Sequence, residues 1–213
     1  MFSNSAALKL LIAEKADVDA SDCMGRVPLL SAGSGGNPEG IKILIASGSN
    51  PYHKVFLGCA PMVHACLHGC HESVAAFLEA GVPVSGDHGV PLPHMSMLQG
   101  GDPILVQRLL EARADIDEPF EVRSLIFSIA FSTASFKYWL GSRDKFCTIG
   151  YNGINSTPLI MSVATGSFAV ARCLVDAGAR LDCRNSRGKT AWDLAKELAA
   201  PSSLIEAVVA VEP

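Results

Sequence analysis

Apolar residues come along this chain in short bursts at helical spacing, separated by Gly, Pro, Asn and Asp. Ile41-Lys42-Ile43-Leu44-Ile45, Val74-Ala75-Ala76-Phe77-Leu78 and Val170-Ala171-Arg172-Cys173-Leu174-Val175 repeat apolar side chains every three to four positions, the mark of an amphipathic helix. They end at Gly48, Gly81 and Gly178, where a left-handed cap favours a residue without a Cβ. A shorter apolar segment precedes each, opened by Pro28, Pro61 or Pro158. Proline at the first helical position loses no hydrogen bond and presets φ. Gly36, Gly69 and Gly166 divide the two segments. The unit is therefore turn, helix, loop, helix, turn. Neither helix is long enough to stand alone, so each must bury its apolar face on a neighbouring unit.

The units keep a period. Val18, Pro51, Val84, Ile116, Ile149 and Leu181 fall 33, 33, 32, 33 and 32 residues apart. A row of small residues, Ala32, Ala65, Ala130, Ser162 and Ala195, falls at 33, 65, 32 and 33, with Met97 inside the longer gap. This arithmetic predicts an all-α solenoid of helix–loop–helix units with β-turn tips and a period of about 33 residues. A partial unit covers 3–20, and full units cover 22–53, 55–86, 88–118, 120–150 and 152–183. A terminal capping unit covers 185–211.

Thr157-Pro158-Leu159-Ile160-Met161-Ser162 resembles the T-P-L-H-x-A signature of the ankyrin repeat family, and Gly188-Lys189-Thr190-Ala191-Trp192-Asp193-Leu194-Ala195 resembles its last-repeat variant. Tails such as Ala16-Asp17-Val18-Asp19 and Ala114-Asp115-Ile116-Asp117 are similar to the family's G-A-D-V-N. The resemblance covers essentially the whole chain. It implies a scaffold that recognises another protein inside the cell, in the cytoplasm or nucleus, without catalysis. The alternative is a regulatory or targeting fragment of a larger protein. The sequence also departs from the pattern. Leu30, Val63 and Ile160 stand where the signature has His, which in the family ties neighbouring turns together. Arg113 stands where other units have the capping Gly. The units at 88–118 and 120–150 are the least regular, with Phe136-Lys137-Tyr138-Trp139-Leu140 as a second helix in poor register.

Composition narrows the function classes. The 213 residues are 49% hydrophobic and 18% charged, with 17 Lys and Arg against 21 Asp and Glu. The chain is too apolar for disorder, and a net charge of −4 gives no footprint for nucleic acid. The stretch from Phe146 to Ala171 lacks Asp, Glu, Lys and Arg but holds Asn152, Asn155, Pro158 and several glycines, so it reads as no membrane span. Met1-Phe2-Ser3-Asn4 opens no secretory signal. The seven cysteines are odd in number and scattered, which reads as free thiols in a reducing compartment.

Candidate chemistry adds little. His64, Cys66, His68, Cys70 and His71 cluster, but Cys66 and Cys70 straddle a Gly turn without a second ligand pair, so no metal is expected. Gly33-Ser34-Gly35-Gly36 reads as an inter-helix loop, not a phosphate cradle, since no Lys-Ser/Thr follows. Asp17, Asp19, Asp115, Asp117 and Asp182 read as solvated turn and capping groups. No catalytic residue and no cofactor is expected. Binding remains. The turn tips and first helices of a solenoid make one long face, and the tips here carry Met24, Arg26, Phe56, Leu57, His88, Tyr151, Ile154 and Arg187. Apolar and aromatic residues beside Arg at solvent-facing positions suit a protein interface. The opening helix, Ala6 to Ala13, lacks a preceding partner helix, and its bare face is expected to allow self-association.

Overall fold

The computed structural model describes residues 5–54, 58–98, 100–121, 129, 132–137, 140–141 and 145–201. Among them there is no strand, and the helices are short: α1 Ser5–Ala13, α2 Pro28–Ser34, α3 Pro38–Ala46, α4 Pro61–Leu67, α5 His71–Glu79, α6 Leu92–Ser96, α7 Pro103–Glu111, α8 Lys145–Asn152, α9 Pro158–Ala164, α10 Phe168–Asp176 and α11 Ala191–Glu197. Proline opens α2, α3, α4, α7 and α9. Side chains cap several of them. Asn37 accepts from the Gly40 amide at 2.9 Å, Asp102 from Ile104 at 2.9 Å, and Thr190 and Asp193 close a reciprocal capping box on α11.

The helices pack in two rows. The first row runs α2, α4, α6, α9, α11, and the second runs α1, α3, α5, α7, α10, each helix resting on the next. Leu29, Met62 and Leu159 occupy one buried position of three first-row helices, and Ile41, Val74, Leu105 and Val170 line the inner side of the second row. Gly33 lies within α2, not in a loop. The aromatic ring of Phe77 comes so close that a Cβ on Gly33 would sit 3.3 Å from it, so the glycine serves close packing between helices.

The stacking order corrects one expectation. α6 rests directly on α9, and α7 on α10, so the described helices of residues 120–150 do not stand between them in the two rows. Hydrogen bonds mark the seam. Ser156 O accepts from Phe120 N at 2.8 Å, Phe120 O from Asn155 N at 3.0 Å, Gly100 O from Ser167 Oγ at 3.0 Å, and Asp117 Oδ1 from Arg180 N at 3.0 Å. The last repeats the tie between Asp19 and Asn50 N, which spans adjacent units. The chain leaves the stack at the turn tip after Phe120 and returns at Gly153. Within it, the helical residues 132–137 and α8 are joined by a 2.6 Å bond from Ser135 Oγ to Gly150 O. Ile149, counted among the tails by its spacing, lies inside α8 and is buried. Ala130 of the small-residue row, and Tyr138 and Trp139, lie outside the described residues.

The expected strain at Arg113 is present: its φ is +66, in the left-handed region, as are Lys15 at +63 and Ala199 at +50. Glycines occupy the equivalent caps at Gly48, Gly81 and Gly178. Arg113→Gly is expected to stabilise the protein by about 1 kcal/mol, the usual cost of a Cβ in that conformation. Thermal unfolding followed by circular dichroism tests this, and an unchanged or lowered Tm contradicts it.

Candidate interaction surface

Several of the turn tips are hydrogen-bonded to a neighbouring tip. Ala60 N donates to His88 O at 3.0 Å, Phe120 pairs with Asn155 and Ser156, and Ser186 N donates to Ile154 O at 3.0 Å. The carboxylates read as capping groups do more. Asp17 and Asp115 accept from the amides two residues on, as turn groups do, but Asp19 and Asp117 bind across to the neighbouring unit.

The first tip is rigid and presents one apolar side chain. Asp22 accepts from the amides of Met24 and Arg26 and from Arg26 Nε at 2.8 Å. These bonds, that from the Arg26 amide foremost, hold its carboxyl below the usual range. The guanidinium of Arg26 is thereby engaged within its own turn, while Met24 is 62% exposed. Ile154 is exposed on the returning tip. Phe56 and Leu57 lie outside the described residues.

Three other expected contact residues have structural duties. His88 is buried: its Nε2–H donates to Pro83 O at 2.8 Å, and its ring lies against Tyr52 with centroids 5.4 Å apart. Desolvation holds its pKa below the ordinary histidine value. Arg187 sits 4.1 Å above the Tyr151 ring, donates to Asn152 Oδ1, and lies 3.6 Å from Glu197. Together with the 3.0 Å bond from Asn185 Nδ2 to Asn152 O, it clamps the end of α8 to the last unit. Tyr151 and Arg187 are thus a joint between the excursion and the stack.

The cysteines of the cluster differ in burial. Cys66 is fully buried, and desolvation pushes its thiol up. Cys70 reaches Ser34 O at 3.5 Å instead. Among the described residues no three His, Cys, Asp or Glu gather closely enough to hold a metal ion. Cys59 is also buried and its thiol is pushed up to about 11 by desolvation, the opposite of a reactive thiolate. All seven cysteines are free.

Two features had no counterpart in the sequence reading. His94 is completely buried, and its Nε2–H donates to Ser156 O at 2.9 Å across the seam. It stands where other units place Leu29, Met62 and Leu159, three residues before the small-residue row, a register signal available in the sequence. The second is a set of exposed apolar side chains on the excursion: Ile129, Phe136 and Leu140, each about 60% exposed. Leu140 N bonds Phe136 O at 3.1 Å, so these two share a helical face.

This stack of paired short helices with hydrogen-bonded tips defines an ankyrin-repeat solenoid. The crystal structure of an ankyrin repeat domain from Acinetobacter baumannii matches the chain with a TM-score of 0.72 at 16% identity, covering 97% of this chain and 92% of that one. The ankyrin repeat domain of human ASB11 matches with a TM-score of 0.56 at 26% identity, covering 98% of this chain and 93% of that one. No family model matches the sequence, and no curated protein does. The ankyrin-repeat fold generally mediates protein–protein interaction, and such domains are typically non-catalytic scaffolds. Among the described residues no helix is long and apolar enough to cross a membrane.

Proposed function

We propose that this chain is a non-catalytic scaffold that binds another protein along its turn tips and the first-helix row. The observation that carries this reading is the exposed apolar surface rooted in the tip row: Met24 and Ile154 on the tips themselves, with Phe136 and Leu140 on the excursion. Exposed apolar side chains of this size are the usual anchors of interfaces. The seven free thiols, several of them buried as small apolar groups, suit a reducing compartment inside the cell.

Affinity capture with the full chain tests the reading, beside a variant carrying Met24→Asp, Ile154→Asp and Phe136→Asp. The variant is expected to lose the captured protein while keeping the helicity of the parent, because none of the three side chains is buried. Capture that survives all three substitutions overturns the placement on the tips.

A further inference from the structure

One first-row helix is covered where its counterparts are open. Ser31 of α2 is exposed and His64 of α4 is half-buried, each one residue before the small-residue row at Ala32 and Ala65. Met161 of α9 stands one residue before Ser162 in the same row, yet it is 0% exposed. All seven residues of α9 are buried. Stack neighbours do not account for this. α4 lies between α2 and α6 as α9 lies between α6 and α11, and α4 still leaves His64 and Leu67 partly in solvent. What α9 has in addition is α8, which packs against it. A Cβ on Gly153, just past the end of α8, would come within 2.9 Å of Met161 Cε and 2.5 Å of Ile149 O. The end of α8 therefore lies against the side of α9 that in α2 and α4 meets solvent.

The hold on α8 is local. Cys147 and Ile149 within it are buried. Its end is tied to the last unit by Arg187, which donates to Asn152 Oδ1 and covers the Tyr151 ring, and by the bond from Asn185 Nδ2 to Asn152 O. The array does not need α8 for continuity. α6 meets α9 and α7 meets α10 directly, and Phe120 pairs with Asn155 and Ser156 at the base. α8 can thus part from α9 while the stack stays closed. A helix of eight residues does not persist alone once it parts.

We propose that α8 is a strap across the first-helix face at α9, locked by Arg187, and that its release uncovers this face for a partner. The inference rests on the protein-binding reading above and names the segment of this chain that competes with the partner. Ser31 and His64 mark the part of the face that stays open without release.

Iodoacetamide labelling of the full chain, followed cysteine by cysteine by mass spectrometry, tests it, because a buried thiol reacts only through an opening. Cys147, 2% exposed, reports the strap, and fully buried Cys66 in α4 reports the stack. Arg187→Ala is expected to speed labelling of Cys147 roughly tenfold or more, the effect of losing a charge-assisted hydrogen bond, with Cys66 unchanged. Gly153→Ala, whose methyl collides with Ile149 O and Met161, is expected to do the same. Both variants are expected to bind more anilinonaphthalene sulfonate, a dye for exposed apolar surface. Cys147 that keeps the parent's rate in either variant overturns the strap, and an unchanged dye signal overturns the uncovered face. If Arg187→Ala speeds Cys66 as well, Gly153→Ala decides: joint acceleration there makes α8 part of the core and overturns the proposal. Labelling is read without a partner, so its failure leaves the scaffold reading standing, and a failed affinity capture leaves the labelling result intact.

Discussion

Phe77→Ala is expected to destabilise the protein by about 3–5 kcal/mol, the cost of removing a large buried ring and leaving a cavity. Phe77 is completely buried in α5, which touches α2, α3, α4 and α7. Its ring fills the space that Gly33 leaves open on α2. The side chain therefore joins both rows across neighbouring units. In a stack held by nearest-neighbour contacts, weakening one interface uncouples the parts on either side. Urea unfolding is expected to show a lower midpoint and a broadened or split transition, as α1–α3 separate from the remainder. A loss below about 1 kcal/mol, or a single transition as sharp as the parent's, contradicts this account.

The second large effect is on acid stability and centres on His94. Burial pushes its pKa from 6.5 down to about 4, against the opposing effect of its bond to Ser156 O. Below pH 6.5 the unfolded chain takes up a proton that the folded chain refuses until about pH 4. Unfolding thus binds a proton across that window, and stability falls as pH falls through it. At about 1.4 kcal/mol per pH unit, the full window is worth ~3 kcal/mol, and the loss between pH 7 and pH 5 is about 2 kcal/mol. His64 and His88, also held below the ordinary value by desolvation, act in the same direction.

His94→Leu isolates the contribution. Leu29, Met62 and Leu159 show that the position accepts an apolar side chain of this size. Ser156 O keeps its bond from Phe120 N after the substitution. The variant is expected to be close to the parent at pH 7 and about 2 kcal/mol more stable than it at pH 5, measured by chemical unfolding at both values. A variant with the same pH dependence as the parent contradicts the assignment.

The helices were legible in the sequence because their signals are local. Proline at α2, α4 and α9, glycine at the caps and the apolar spacing between them are properties of a few adjacent residues, and the strain at Arg113 followed from comparing like positions. The excursion was not legible for the opposite reason. Stacking is a relation between units, whereas a period counts residues along the chain. The detour from Phe120 to Asn155 happens to add one repeat length, so Ile149 falls into step with Val18 and Leu181 while lying in a helix. His88 and Arg187 sit on tips as expected, but whether a tip residue faces outward depends on what crosses it. Tyr52 covers the first, and the end of α8 engages the second.

The seam at Phe120 has a consequence for engineering. Both strands of the detour are stitched together at its base by the paired bonds between Phe120, Asn155 and Ser156. A chain spliced in above that stitch adds only about 0.6 kcal/mol of closure entropy for each doubling of its length. The array therefore has a built-in port on its flank, where a foreign domain can be grafted, or sequence can drift, without shifting the helices beneath it.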